Sequence, residues 1–247
     1  DLHKSTDSGT NWTMLSAWHT YYANMYDLEY VHADQHSFAF RPGYPNTAVL
    51  GNDGGIHMTT DSGTIFTEKN SGYNVTQFYS TALHPTTGEY YFLAGSQDNG
   101  TQQFTNASGI VSTYEVTGGD GAYCFIDQTD PNYQITSYIY NNWYISSDSG
   151  SSFSNLTDDN TGRFINPADY DDNSDILYSA VNADSIKRIH DISGSYYSDY
   201  MSVTLGATAS HIRASDYSTN VIYVGTSSGS LYKISNANSS SPSSTEI

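Results

Sequence analysis

The feature that most constrains this chain is a polar turn that keeps returning at a nearly fixed interval. Phe40–Asn46, Leu83–Glu89, Ile126–Asn132, Ile165–Asn173 and Arg213–Asn220 each follow one apolar, strand-like run and precede another. Their last residues are spaced by 43, 43, 41 and 47 positions. A period near 43 suits a four-stranded β-meander, the blade of a propeller, which needs roughly 40–50 residues for four short strands and their turns. Helical repeats of that length would carry a 3.6-residue apolar period, and these segments do not. Composition points the same way, because 23 Tyr, 20 Gly and only 14% charged residues favour strands and turns over helices. The expectation is an all-β propeller of four-stranded blades, with about five blades and part of another over residues 1–235. Residues 236–247 read as a Ser-rich tail or truncated blade, and the chain as a fragment of a larger propeller.

A second motif runs in phase with the first. Ser5-Thr6-Asp7-Ser8-Gly9-Thr10-Asn11-Trp12, Thr59-Thr60-Asp61-Ser62-Gly63-Thr64-Ile65-Phe66 and Ser146-Ser147-Asp148-Ser149-Gly150-Ser151-Ser152-Phe153 share one pattern. An Asp side chain can close a turn by accepting backbone N–H bonds, Gly permits positive φ, and a terminal aromatic packs back into the sheet. These segments resemble Asp-boxes, the hairpins of the BNR repeat. The stretches Tyr30–His36, Gly51–Ile56, Thr76–Tyr79, Gly95–Thr101 and Gly118–Gly121 extend the similarity to secreted bacterial BNR-repeat proteins of the sortilin and xyloglucanase propeller superfamily. That resemblance implies Asp7, Asp61 and Asp148 as structural turns on the face away from the active site. It implies architecture more firmly than activity.

Charge narrows the partners. Eight Lys and Arg against 26 Asp and Glu give a net charge of −18, which repels phosphate backbones and anionic headgroups. Nucleic acid and membrane insertion are excluded as expectations, since no apolar run approaches the ~20 residues of a transmembrane helix. Cations, neutral sugars and proteins remain. Cys124, the one cysteine, lies in the apolar run Tyr123–Ile126 and reads as a buried, inert thiol. Asn-x-Ser/Thr sites at Asn11, Asn74, Asn99, Asn106, Asn155 and Asn238 suit an extracellular surface.

Blade topology converts these patterns into a candidate site. Loops leading into the inner strand and loops joining second to third strands open on one face of a propeller; the Asp-box hairpins join third to fourth strands on the other. With Ser37–Phe40 as inner strand, Thr47–Gly51 as second and Ile56–Thr59 as third, His32, Asp34 and His36 precede the inner strand, and Asn52 and Asp53 occupy the second-to-third loop. Gln97, Asp98 and Asn99 occupy the equivalent loop of the next blade, and Asp120 precedes the inner strand after it.

Three chemistries fit this set. The acidic residues can be solvated turn formers. His32, Asp34 and His36, at alternate positions of a strand, would point the same way and hold a divalent cation, calcium with oxygen ligands or zinc with both imidazoles. Asp34, Asp53, Asp98 and Asp120 could supply the carboxylate pair of a glycoside hydrolase, about 5–5.5 Å apart for retention or 6.5–9.5 Å for inversion. Sialidase chemistry is disfavoured, because the chain has only Arg41, Arg163, Arg188 and Arg213, and Phe40-Arg41-Pro42 reads as part of a repeat turn. Tyr138 and Tyr140 read as alternating positions of a strand, buried between blades, with exposure and stacking on sugar rings as the alternative. The expected function is a secreted or cell-surface propeller that binds polysaccharide or an extracellular protein. A glycoside hydrolase and a self-assembling structural subunit are the alternatives.

Overall fold

The computed structural model describes residues 1–73, 76–105 and 113–247; Asn74 and Asn106 lie outside them. The chain divides into two compact units, Asp1–Val75 and Thr76–Ile247. In the N-terminal unit, β1 (Leu2–Lys4) and β2 (Thr13–Ala17) form an antiparallel hairpin. After a short helix α1 (Thr20–Tyr26), β3 (Glu29–Tyr30) pairs with β2 in parallel. The second sheet of this unit is the meander β4 (Gln35–Arg41), β5 (Tyr44–Asn52), β6 (Gly55–Thr59) and β7 (Thr67–Glu68). Its core is small: Val31, Leu50 and Phe66, with Leu2 and Leu15 against them.

The C-terminal unit holds four sheets, each a four-stranded antiparallel meander in sequence order. They are β8 (Phe78–Leu83), β9 (Tyr91–Ser96), β10 (Thr101–Thr105) and β11 (Thr113–Thr117); β12 (Cys124–Ile126), β13 (Gln134–Ser137), β14 (Trp143–Ser146) and β15 (Ser154–Thr157); β16 (Ala168–Asp171), β17 (Ile176–Asn182), β18 (Ser185–His190) and β19 (Tyr197–Ser202); and β20 (Ala209–Ala214), β21 (Val221–Thr226), β22 (Leu231–Ser235) and β23 (Ser243–Glu246). Four of the five repeated segments form the turn between the first and second strands of a sheet, while Ile165–Asn173 contains β16 and ends in that turn; the 43-residue period is the period of the meander. Left-handed backbone at Asp175 (φ 53°) and Asn220 (φ 58°) closes two of these turns, a conformation that Asp and Asn tolerate better than other side chains.

The sheets of this unit pack through their apolar faces. One cluster joins Tyr178, Ile186 and Met201 to Ile212, Ile222, Val224 and Ile234, and another joins Ile135, Trp143 and Ile145 to Leu177 and Ile189. Polar ties repeat with the same interval. Tyr91 donates to Gln134 Oε1 at 2.6 Å and Tyr170 to Asp127 Oδ2 at 2.8 Å, each across 43 residues. Cys124 is buried between the first two sheets, beside Ser80, and burial pushes its thiol up to about 11.

Two expectations change. Residues 236–247 are neither a tail nor a truncated blade: they form a turn and β23, the fourth strand of the last sheet, with Ile234 opposite Ser244 and Tyr232 opposite Glu246. An exposed edge strand needs backbone pairing and no apolar side chains, so its Ser-rich composition hid it. Tyr138–Asn142 is a loop and not strand, because β13 ends at Ser137 and β14 starts at Trp143. The all-β expectation holds around one short helix: α1 has seven residues and buries only Ala23, and His19 Nδ1 accepts from the Tyr21 amide at 3.1 Å and caps it.

Candidate functional site

An antiparallel meander puts the turn after its second strand and the turn after its third at opposite ends of the sheet. In the N-terminal unit Gln35 is opposite Asn52 and Asn52 opposite Gly55, whereas Ala48 is opposite Thr59. His36 and Asp53 therefore sit at one end of this sheet and Asp61 at the other. The same register separates Asp120 from Asp148 in the sheet β12–β15, since Ser137 faces Trp143 and Gln134 faces Ser146.

At the hairpin end, three turns repeat one hydrogen-bond pattern. Ser5, Thr59 and Ser146 donate their hydroxyls to Asp7, Asp61 and Asp148 at 2.9, 2.8 and 2.7 Å. The same hydroxyls accept from the amides of Gly9, Gly63 and Gly150 at 2.8, 2.9 and 2.9 Å. Each carboxylate also takes the amide four residues on, that of Asn11, Ile65 or Ser152, at 2.8–3.0 Å. The intervening Ser and Gly both have positive φ. These bonds, from Ser152 and Ser146 foremost, hold the Asp148 acid down at about 2. The three aspartates close their own turns.

At the loop end of the N-terminal unit, the β5–β6 turn is fixed by two asparagines. Asn52 Oδ1 accepts the Gly54 amide at 3.1 Å, and Asn70 donates to Gly54 O at 2.8 Å. Asp53 is thereby presented to His36 Nε2, with which it pairs. A carboxylate oxygen of Asp34 lies within 4.8 Å of one from Asp53. The triplet His32, Asp34 and His36 does not share a strand face. β4 begins at Gln35, and Asp34 is left-handed at φ 57°, so two-residue alternation does not reach it. Among the described residues those three donors do not form a mutually close ligand set; the His32 ring lies against Gly54 instead. The oxygens of Asp34 and Asp53 are groups of this end that could hold a cation, with His36 engaged by Asp53. Beneath them His57 is buried with Nδ1 3.2 Å from Asn52 Nδ2, and desolvation, partly offset by Glu68, holds it below the usual imidazole range.

At the loop end of the C-terminal unit, Asp98 in the β9–β10 turn donates its amide to Asp120 Oδ1 at 3.2 Å. That contact brings the loop before β12 onto the β9–β10 turn. Tyr79 donates to Gln97 Oε1 at 2.8 Å, and its phenol is pushed up by desolvation and by the charges of Asp120 and Asp98. Tyr138 is pushed up by desolvation and then by Asp120. Its ring covers Gly119, where a Cβ would collide with it. Two carboxylates, a carboxamide and two phenols thus converge, and Tyr138 was not among the residues first assigned to a site. Tyr140, in the same loop, meets Phe164 edge-on with ring centroids 6.0 Å apart.

No protein-family model matches the sequence, and no curated protein does. Among solved structures, an ancestral GH74 enzyme superposes with TM-score 0.51 at 17% identity, over 94% of this chain and 33% of that one. YCF48 from Cyanidioschyzon merolae superposes with TM-score 0.52 at 12% identity, over 86% of this chain and 71% of that one. Both are propellers. The chain is a β-propeller. At these identities the likeness is one of fold, and the chain spans a third of the GH74 enzyme's length.

Proposed function

We propose that this propeller binds an uncharged polysaccharide through Tyr79 at the start of β8 and the loops that carry Gln97, Asp98, Asp120 and Tyr138. The observation that carries the reading is the meeting of Asp98 and Asp120 beside two phenols. A sugar ring offers an apolar C–H face and a rim of hydroxyls; aromatic rings take the face, and carboxylates and carboxamides take the rim. The net charge of −18 disfavours polyanions and leaves neutral glycans untouched. The resemblance to secreted BNR-repeat propellers supports a setting outside the cytoplasm, where polysaccharides are met.

The test is affinity electrophoresis through gels containing hydroxyethyl cellulose, mixed-linkage β-glucan or galactomannan, with polygalacturonate as the anionic control. Retardation by at least one neutral polymer, reduced in Tyr79→Ala and Asp120→Asn, is the expected result. Migration unaffected by every polymer would overturn the reading.

Hydrolysis is the second reading, favoured by the two carboxylates that the Asp98 amide to Asp120 contact brings onto neighbouring loops. An enzyme would release reducing ends from the retarding polymer and lose that activity in Asp98→Asn. A binding module would retain the polymer intact.

A further inference from the structure

Among the described residues, non-glycine positions with left-handed backbone are occupied by Ser, Asp or Asn in every case but one. The exception is Tyr140, at φ 58° in the loop between β13 and β14. A bulky side chain is sterically penalised there, and glycine would meet the backbone requirement without cost. Such a conformation persists only where its surroundings over-determine it.

Here they do. The Tyr140 amide donates to Phe164 O and the Asn141 amide to Asp159 O, both at 3.0 Å. Asn141 is fully buried with its whole carboxamide engaged. Its Oδ1 accepts from Trp143 Nε1 at 3.2 Å and Asn166 Nδ2 at 2.9 Å, and its Nδ2 donates to Thr161 Oγ1 at 3.0 Å and Ala180 O at 2.9 Å. This scaffold staples the Tyr138–Asn142 loop to the segment before β16. At the surface it leaves a corner of two rings, the partly buried Tyr140 and the half-exposed Phe164, at an interplanar angle of 83°.

We propose that Tyr140 and Phe164 form a preformed stacking subsite for a pyranose ring of the polysaccharide; this rests on the binding reading above. The corner adjoins the loop of Asp120 through Tyr138, which stands two residues before Tyr140 and whose ring lies over Gly119. Perpendicular rings accept the C–H face of a pyranose on one side and its edge on the other. The acidic surface directs the subsite to uncharged sugars. Tyr140 is present for its ring, against the preference of its backbone.

That opposition supplies the test. Tyr140→Gly relieves the backbone and removes the ring, so its melting temperature should stay at or above that of the parent while retardation by the neutral polymer weakens roughly tenfold. Phe164→Ala, at an exposed position, should weaken retardation similarly, and Tyr140→Phe should preserve it. Asp120→Asn is run alongside. If Asp120→Asn loses retardation while Tyr140→Gly and Phe164→Ala migrate as the parent does, the subsite is refuted and the wider reading stands. If the parent is not retarded, both fall. Should Tyr140→Gly fail to fold, Phe164→Ala decides alone: undiminished retardation overturns the subsite.

Discussion

The two ends of the sheets use the same residue type in opposite ways. At the hairpin end, Asp7, Asp61 and Asp148 bind hydroxyls two residues back and amides four residues on. At the loop end, Asp53 pairs with His36 across 17 residues and Asp120 with Asp98 across 22. A carboxylate that closes its own turn is already solvated by its neighbours and has become part of the fold. A carboxylate that meets groups from another loop can exchange them for a ligand's hydroxyls. Repetition of a motif from sheet to sheet therefore marks structure, and departure from repetition marks the candidate site.

The largest effect that sharpens this contrast is expected from Arg188, which reaches the hairpin end of the last sheet. It is 3% exposed, forms a two-pronged pair with Asp199 at 2.6–2.7 Å, and donates to Ala237 O and Ser239 O in the β22–β23 turn at 2.8 and 2.7 Å. Arg188→Ala should cost about 3 kcal/mol in urea unfolding, the low end for breaking a buried pair, because Asp199 is partly exposed. Polysaccharide retardation of the folded fraction should be unchanged. Ser146→Ala, which removes the buried hydroxyl bridging Asp148 and the Gly150 amide, should cost about 1 kcal/mol, again without affecting retardation. A binding loss in either variant would erase the distinction between the ends.

Titration gives two smaller signatures. Asp148 is held at about 2 in the folded chain, below the ~3.9 of an unfolded Asp, so the unfolded chain takes up the proton first. The hairpin's contribution should be complete above about pH 4 and lost toward pH 2, a limb that Asp148→Asn removes from a plot of melting temperature against pH. His57 is held below its usual range by burial, so the unfolded state is protonated preferentially as pH falls below about 6.5. Stability of the N-terminal unit should decline from there, and His57→Gln should flatten that limb. The smallest effect concerns Cys124: with its thiol pushed up to about 11 and buried, iodoacetamide at pH 8 should modify it only after unfolding.

Much of this arrangement was legible in the residues. The turns ending at Asn46, Glu89, Asn132, Asn173 and Asn220 carry Pro, Gly, Asp and Asn for reasons of backbone geometry, so their spacing reported the meander period directly. Two of the Ser/Thr-x-Asp-x-Gly turns, those of Asp61 and Asp148, reported third-to-fourth hairpins in the same way, while that of Asp7 joins β1 to β2 of the three-stranded sheet. Other features were hidden because a different force decided them. Tyr138-Ile139-Tyr140 has the alternation of a strand, yet the buried carboxamide of Asn141 fixes a loop, and a sequence window does not display tertiary partners. Helix α1 is held by a His19 cap, a left-handed C-cap at Asp27 and the burial of Ala23, and is too short for an apolar period to register. His32, Asp34 and His36 do not share a strand face, because Asp34 is left-handed and β4 begins only at Gln35.

The most direct test sets one loop-end aspartate against one hairpin aspartate in the same affinity gel. Asp120→Asn and Asp148→Asn each remove one charge and keep the side chain's size. Folded Asp148→Asn should be retarded by the neutral polymer as strongly as the parent, and Asp120→Asn should run close to its mobility in a polymer-free gel. Retardation retained in Asp120→Asn but lost in folded Asp148→Asn would contradict the division of the sheets into a folding end and a binding end.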